Sequence, residues 1–159
     1  LRSPDENDWL ILYVLAAQVA GLIQHGLSDG PPLTYRGCIA FGEYHVEGPF
    51  IIGQAVDDAG EGHEAAEGAI VWLHATALAV TDGHVQGTRG STPFVPLNVP
   101  LKRRSMPCPT LVVNPFWFLD SSAHDDFIGA TLDTFTGSNE GITRKRENTK
   151  WFLNRCRGG

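Results

Sequence analysis

The sequence has little cysteine, with three residues in 159 and no Cys-x-x-Cys pair. So small and odd a number excludes a disulfide framework and fits a reducing compartment. A secretory leader is not expected either, because acidic rather than basic residues precede the apolar run at residues 9–15. The longer run at residues 9–23 is interrupted by Gln18 and Gly21 and is too short to predict a membrane span. We therefore expect a cytoplasmic protein with no membrane partner.

Basic residues are scarce in the first two thirds of the chain. Up to residue 101 there are three Lys or Arg against twelve Asp or Glu, whereas the remainder has nine against six. A general nucleic-acid binder needs a concentrated basic face, which the acidic first part lacks. No nucleic-acid partner is therefore expected, although the basic C-terminal part could meet phosphate groups or pair with acids.

Composition and local patterns predict one α+β domain over residues 1–159. Eighteen glycines and ten prolines exceed what a helical bundle tolerates, and the apolar fraction of 42% suits a globular chain. The predicted helices cover residues 3–24, 53–67, 75–80, 120–135 and 140–156, and the predicted strands 33–42, 43–52 (as a hairpin), 70–73, 94–101 and 110–113. The first helix, capped by Ser3, is apolar almost throughout and is expected to be buried on more than one side. The order favours a sandwich with helices on one face of a mainly antiparallel sheet.

Two groups of segments carry a resemblance to a known family. The segment YRGCIAFG at residues 35–42, followed by IIGQAVDDAGEGHEAAE at 51–67, resembles the strand–hairpin–helix core of class III nucleotide cyclases. VPLK at 99–102, VVN at 112–114 and KRENTKWFL at 145–153 are similar to the C-terminal part of bacterial members, in particular the pyrimidine cyclases of Pycsar phage-defence systems. The resemblance covers residues 8–153 and implies a ferredoxin-like fold.

The resemblance also implies an activity. Members are lyases that act as head-to-tail homodimers and convert a nucleoside triphosphate into a 3′,5′-cyclic nucleotide and pyrophosphate, here cUMP or cCMP for antiviral signalling. The reaction uses Mn²⁺ or Mg²⁺ held by two aspartates. Those aspartates precede the first helix in chain order and are therefore expected upstream of Leu1. We accordingly expect no metal ligand in this chain and a domain that lacks its N-terminal metal-binding segment. By itself the chain is expected to be inactive.

Four residues are the candidate site residues. Asp57 and Glu61 occupy the family's Asn and Arg positions, and a carboxylate at the Arg position repels phosphate instead of stabilising it. Phe50 occupies the base-selecting position, where an aromatic ring narrows the pocket and favours a pyrimidine; the alternative is a core-facing strand residue. Arg36 either contacts a phosphate or pairs with a carboxylate that fixes its strand. Substitute cations for the Arg position are Arg36 itself and the residues Arg89, Lys102 and Lys150.

Two other hypotheses compete with the enzyme. Acids at positions 57 and 61 also suit a degenerate cyclase-like module that binds a nucleotide or only dimerises. His63 and Glu67 would share one face of a helix, as zinc ligands do in the H-E-x-x-H motif. A solvated acidic helix face explains the same residues without a metal hydrolase.

Overall fold

The computed structural model describes residues 5–28, 32–81, 93–102 and 106–158. The α+β class is confirmed. In chain order the elements are α1 Glu6–Ser28, β1 Gly37–Ile39, β2 His45–Glu47, β3 Phe50–Ile52, α2 Gln54–Ala65, β4 Val71–Leu73, α3 Ala75–Leu78, β5 Phe94–Val99, β6 Cys108–Val113, a 3₁₀ turn Ser121–Ala123, α4 His124–Asp133 and α5 Glu140–Arg157. The loop predicted at 81–92 falls almost wholly outside the described residues.

Four strands form a mixed sheet in the order β1-β4-β6-β5, and β2 pairs with β3 in a separate hairpin. β1 and β4 are parallel, whereas β4–β6 and β5–β6 are antiparallel. Two of the three pairings are thus antiparallel, as predicted. Because β1 and β4 are parallel, the hairpin and α2 together form the crossover between them.

Helices cover both faces of this sheet, so the prediction of helices on one face is wrong. Successive strand residues point to opposite faces, and Val71 and Leu73 lie in one hydrophobic cluster with Ala16 of α1. Between them, Trp72 lies in a second cluster with Phe152 of α5. The continuous apolar stretches at 70–73 and 111–113 are typical of strands that are buried on both faces.

The first helix differs from the prediction at both ends and in its burial. Ser3 lies outside the described residues, and Asp5 caps α1 by accepting hydrogen bonds from the backbone N–H groups of Asn7 and Asp8. The Asp8 carboxylate accepts one from Asp5 N–H in return, which is the reciprocal arrangement of a capping box. The helix continues to Ser28 instead of ending near residue 24.

Burial of α1 is one-sided. Leu12, Ala16 and Ala20 are buried, whereas Ile11 is 66% and Leu22 51% exposed. By length and composition the 23-residue helix could cross a membrane, so the argument from shortness is wrong. Core helices of water-soluble proteins pass the same test, and α1 contributes to the core along one side.

The two strands with the weakest local signals also differ from prediction. β1 has three residues instead of the ten predicted, because the segment before it runs against the end of α1, where Leu33 N–H donates to Gly26 O. β6 begins at Cys108, two residues before the strand predicted at 110–113, and Pro109 within it pairs opposite Asn98. Since β4 ends at Leu73, it makes no ladder pairing at Pro109, and the missing N–H costs nothing there.

Candidate functional site

The candidate site residues lie at the two ends of the β1–α2–β4 crossover, and the packing of α2 on the strands shows which end is which. α2 lies on the strands so closely that a Cβ on Gly62 would come within 2.8 Å of Cys38 Cβ, and the Trp72 indole donates to Gly62 O at 3.1 Å. At the other end of the helix, Asp58 lies 3.7 Å from His74, which follows β4. The first turn of α2 is therefore at the C-terminal ends of β1 and β4, and its last turn is at their N-terminal ends.

The hairpin β2–β3 lies at the C-terminal end of β1, next to the first turn of α2, and is exposed on both faces. Cross-strand pairing puts Val46 opposite Ile51 on one face and Phe50 opposite Glu47 on the other. Phe50 is 67% exposed, so it is not the core-facing strand residue of the alternative interpretation. An isolated two-stranded hairpin with so much apolar surface is marginally stable in water.

Gly53 joins the hairpin to α2 at a position that admits no side chain. Its φ of 143° lies in the region that favours glycine. A Cβ here would lie 2.6 Å from Glu43 O and 2.8 Å from Tyr44 Cα, both in the backbone leading into the hairpin. The glycine in the 51–67 segment that carries the resemblance is thus required by a close approach of two backbone segments.

Asp57 and Glu61 lie one turn apart on α2, and both are exposed. Neither makes a side-chain hydrogen bond or ion pair with the described residues. The neighbouring Asp58, by contrast, accepts a hydrogen bond from Gln54 and faces His74. This end of the crossover therefore presents two uncompensated acids to solvent.

The opposite end of β1 borders an open cleft of about 430 Å³. One wall is the segment 34–36 together with Gly68 and Ala69, and His63 reaches it from the last turn of α2. Phe135, just after α4, and Lys145 of α5 form the other wall. Volumes of this size are typical of small-ligand sites.

The cleft is bordered by positive charge. Arg36 and Lys145 both line it, and neither side chain makes an ion pair or hydrogen bond with the described residues. Desolvation, and then the charges of Arg36 and Lys145, lower the pKa of Lys102 nearby, while Glu64 and Glu67 oppose this shift. An anion entering the cleft would meet converging cations.

The structure does not bring the four predicted site residues together within one chain. Phe50 lies on the hairpin and Asp57 in the first turn of α2, whereas Arg36 is at the other end of β1. Glu61 lies one turn further along α2 than Asp57, next to Gly62. Of the substitute cations, Lys102 lies near Arg36, Lys150 is exposed on α5, and Arg89 is outside the described residues.

Sequence reasoning did not select Lys145 or Phe135 as partners of Arg36. Lys145 belongs to the 145–153 segment that carried part of the resemblance, which was the only available signal. More than a hundred residues separate it from Arg36, and no local pattern links the two.

A zinc site at His63 and Glu67 has no geometric basis. α2 ends at Ala65, so Glu67 is not on the helix and the two side chains do not share a helical face. Glu67 instead lies 3.5 Å from Arg144, and its carbonyl accepts a hydrogen bond from Asn148.

Metal ligands were expected upstream of Leu1, and that expectation stays a prediction. Leu1 itself is outside the described residues, which begin at Asp5. Among the residues that the structure describes, no group of three or more His, Cys, Asp or Glu side chains could hold a metal ion. A divalent metal therefore has no ready-made centre in the described part of the chain.

No family model, curated protein or solved structure matches this chain. Its function is therefore argued from the placement of its own residues.

Proposed function

We propose that this chain is a class III cyclase-like domain that acts as a homodimer and, in the complete enzyme, converts a pyrimidine nucleoside triphosphate into a 3′,5′-cyclic nucleotide and pyrophosphate. In this proposal the protein is a cytoplasmic lyase of antiviral signalling. The fold proposed with it is the ferredoxin-like sandwich of that family, with α1 added on the second face of the sheet; the α+β class and the mixed four-stranded sheet support it.

The observation that carries the proposal is the β1–hairpin–Gly53–α2 unit. Each part forms where the resemblance requires it: the strand at Gly37–Ile39, the hairpin at 45–52 and the helix from Gln54. A side chain at position 53 would collide with the backbone at Glu43, which explains why the motif needs glycine between the hairpin and the helix. The unit supports the family proposal because its strand, hairpin and helix follow each other in the sequence and the hairpin and helix also pack closely at Gly53.

The exposed hairpin supports a second copy of the chain as partner. On the face opposite Phe50, Val46 and Ile51 are 65% and 58% exposed, and Tyr44 next to the hairpin is 61% exposed. An apolar patch of this kind on a projecting arm is typical of an interaction surface. A self-complementary contact between two such arms would bury it in a twofold dimer.

The proposed preference of the enzyme for a pyrimidine base rests on Phe50. It shares a hairpin face with Ile52, and no described residue covers its ring. An exposed aromatic face can stack on a base but offers no hydrogen bond to a purine edge.

The reaction itself transfers the α-phosphorus from its bond with the pyrophosphate leaving group to the 3′-oxygen, with loss of the hydroxyl proton. A divalent metal would supply charge neutralisation and activate that hydroxyl. The described residues do not fit such a centre, because they contain no cluster of three or more ligands. In this proposal the chain contributes the ring of Phe50, which stacks on the base. The carboxylates of Asp57 and Glu61 accept hydrogen bonds from hydroxyl groups of the sugar.

Binding of the four nucleoside triphosphates to the protein in the presence of Mn²⁺ tests the proposal. UTP or CTP should bind more tightly than ATP or GTP, and Phe50→Ala should remove the preference. Val46→Ala, on the opposite face of the same hairpin, is the matched control and should keep it. Equal affinity for all four nucleotides in the unaltered protein would contradict the role of Phe50.

One observation favours the second candidate, a degenerate module that binds nucleotide or dimerises without catalysis. Asp57 and Glu61 place two exposed acids where a phosphate-stabilising side chain is required. Product analysis separates the two candidates. Nucleotide binding without any cyclic product would support the module, and stoichiometric cyclic product and pyrophosphate would support the enzyme.

A further inference from the structure

We propose that the cleft between Arg36 and Lys145 is a binding site for a nucleoside monophosphate, separate from the hairpin surface and independent of the cyclase proposal. The phosphate would lie between the two cations and the base against Phe135. The sequence grouped Arg36 with Phe50 as a candidate phosphate contact, but neither the sequence motifs nor the proposed activity assigns a role to Lys145, to Phe135 or to a cleft at this end of the crossover.

The two cations converge without any partner of their own. Arg36 comes from the segment before β1 and Lys145 from α5, and both line the cleft with no side-chain hydrogen bond or ion pair to a described residue. Lys102 adds a third positive charge close to both. Like charges held at one cleft repel each other, and a phosphate dianion replaces that repulsion by attraction and can accept two parallel N–H donors from an arginine.

The walls of the cleft are fixed by hydrogen bonds between segments far apart in the sequence. Thr149, which is fully buried, accepts a hydrogen bond from Ala69 N–H at 2.9 Å and donates one to Lys145 O at 2.7 Å. Asn148 of the same helix donates to Glu67 O at 2.7 Å. These bonds tie the wall at 68–69 to α5, so Lys145 is held opposite it before any ligand arrives, which lowers the ordering cost of binding.

Size and surroundings select a small phosphorylated ligand. A volume of about 430 Å³ accommodates a nucleotide, and the half-buried Phe135 supplies a ring for its base. Glu64 and Glu67 lie near Lys102 at the edge of the cleft, so the positive charge does not extend into the long basic track that a nucleic acid needs. The net charge of −6 also disfavours binding of a nucleic acid.

Calorimetric titration of the protein with UMP, CMP, AMP, GMP, uridine and inorganic phosphate tests this site. We expect saturable binding of one or more monophosphates, weaker binding of inorganic phosphate and none of uridine. Arg36→Gln and Lys145→Gln should each weaken binding by about tenfold or more, since each removes a charge-assisted contact. Lys150→Gln and Arg155→Gln remove the same charges from exposed positions of α5 that do not line the cleft, and should bind as the unaltered protein does.

A second readout separates this site from the hairpin surface. In amide NMR spectra, UMP should shift the signals of Gly68 and Ala69, and Phe50→Ala should leave those shifts unchanged. Loss of monophosphate binding in Phe50→Ala, or equal binding in Arg36→Gln and the unaltered protein, would overturn the assignment. Tighter binding of a single-stranded oligonucleotide than of any monophosphate, or no binding of any phosphorylated probe at millimolar concentration, would overturn it as well. Thermal unfolding of each variant verifies that it is folded.

Discussion

Two glycines in α2, two residues apart, should respond in opposite ways to the same substitution. Nothing lies within 4 Å of a Cβ at Gly60, whereas a Cβ at Gly62 would lie 2.8 Å from Cys38 Cβ, closer still to Cys38 Sγ and 3.4 Å from the Trp72 ring. Gly60→Ala should therefore stabilise the protein by about 1 kcal/mol, the usual difference in helix propensity between the two residues.

Gly62→Ala gains the same propensity but forces α2 away from the sheet. Overpacking of this kind costs about 1–3 kcal/mol. The displacement also stretches the buried bond from the Trp72 indole to Gly62 O, and an indole N–H left unsatisfied costs about 1–3 kcal/mol more. The free energy of unfolding of Gly62→Ala should thus fall at least about 2 kcal/mol below that of Gly60→Ala.

Urea denaturation followed by tryptophan fluorescence measures the difference, and comparing the two variants with each other cancels the propensity term. The double variant Cys38→Ala/Gly62→Ala removes the contact with sulfur but not that with Cβ, so it should recover part of the loss. If Gly62→Ala is as stable as Gly60→Ala, the close packing of α2 on β1 and β4 is wrong, and with it the assignment of the two ends of the crossover.

Three further predictions concern other parts of the molecule. Thr149→Val should lower the free energy of unfolding by about 1–3 kcal/mol in urea titrations, because it leaves a backbone N–H without its buried acceptor. Burial raises the pKa of the Cys38 thiol to about 11 and raises that of Cys156 further, so at pH 8 a thiol reagent should modify Cys108 first; rapid labelling of all three thiols in the folded protein would contradict this. Val46→Asp puts a charge into the exposed apolar hairpin and should convert the proposed dimer to a monomer in light-scattering measurements, whereas an unaltered dimer mass would place the interface elsewhere.

Local signals were sufficient for the hairpin and the helix after it. A Gly-Pro break between two short apolar runs predicts a hairpin, and a glycine followed by Ala, Val and acids predicts a helix start. β4 was also predicted within one residue, because four consecutive apolar residues bounded by glycine and histidine suit a strand buried on both faces.

Features that depend on tertiary contacts could not be predicted in this way. α1 is apolar nearly all round, so its sequence does not indicate which side meets the sheet, and the side bearing Ile11 and Leu22 proved exposed. The convergence of Arg36 and Lys145 depends on how α5 packs against the start of β1, which no spacing in the sequence encodes. For the same reason the sequence grouped Arg36 with Phe50, although β1 separates them.

The most direct test of the central claim is the product that the complete enzyme, with the metal-binding segment expected upstream of Leu1, forms from an equimolar mixture of ATP, GTP, CTP and UTP with Mn²⁺, resolved by chromatography. The cyclase proposal predicts a cyclic pyrimidine nucleotide and pyrophosphate in equal amounts, with the purine nucleotides recovered intact. Recovery of all four triphosphates without cyclic product, or a cyclic purine nucleotide as the main product, would contradict it.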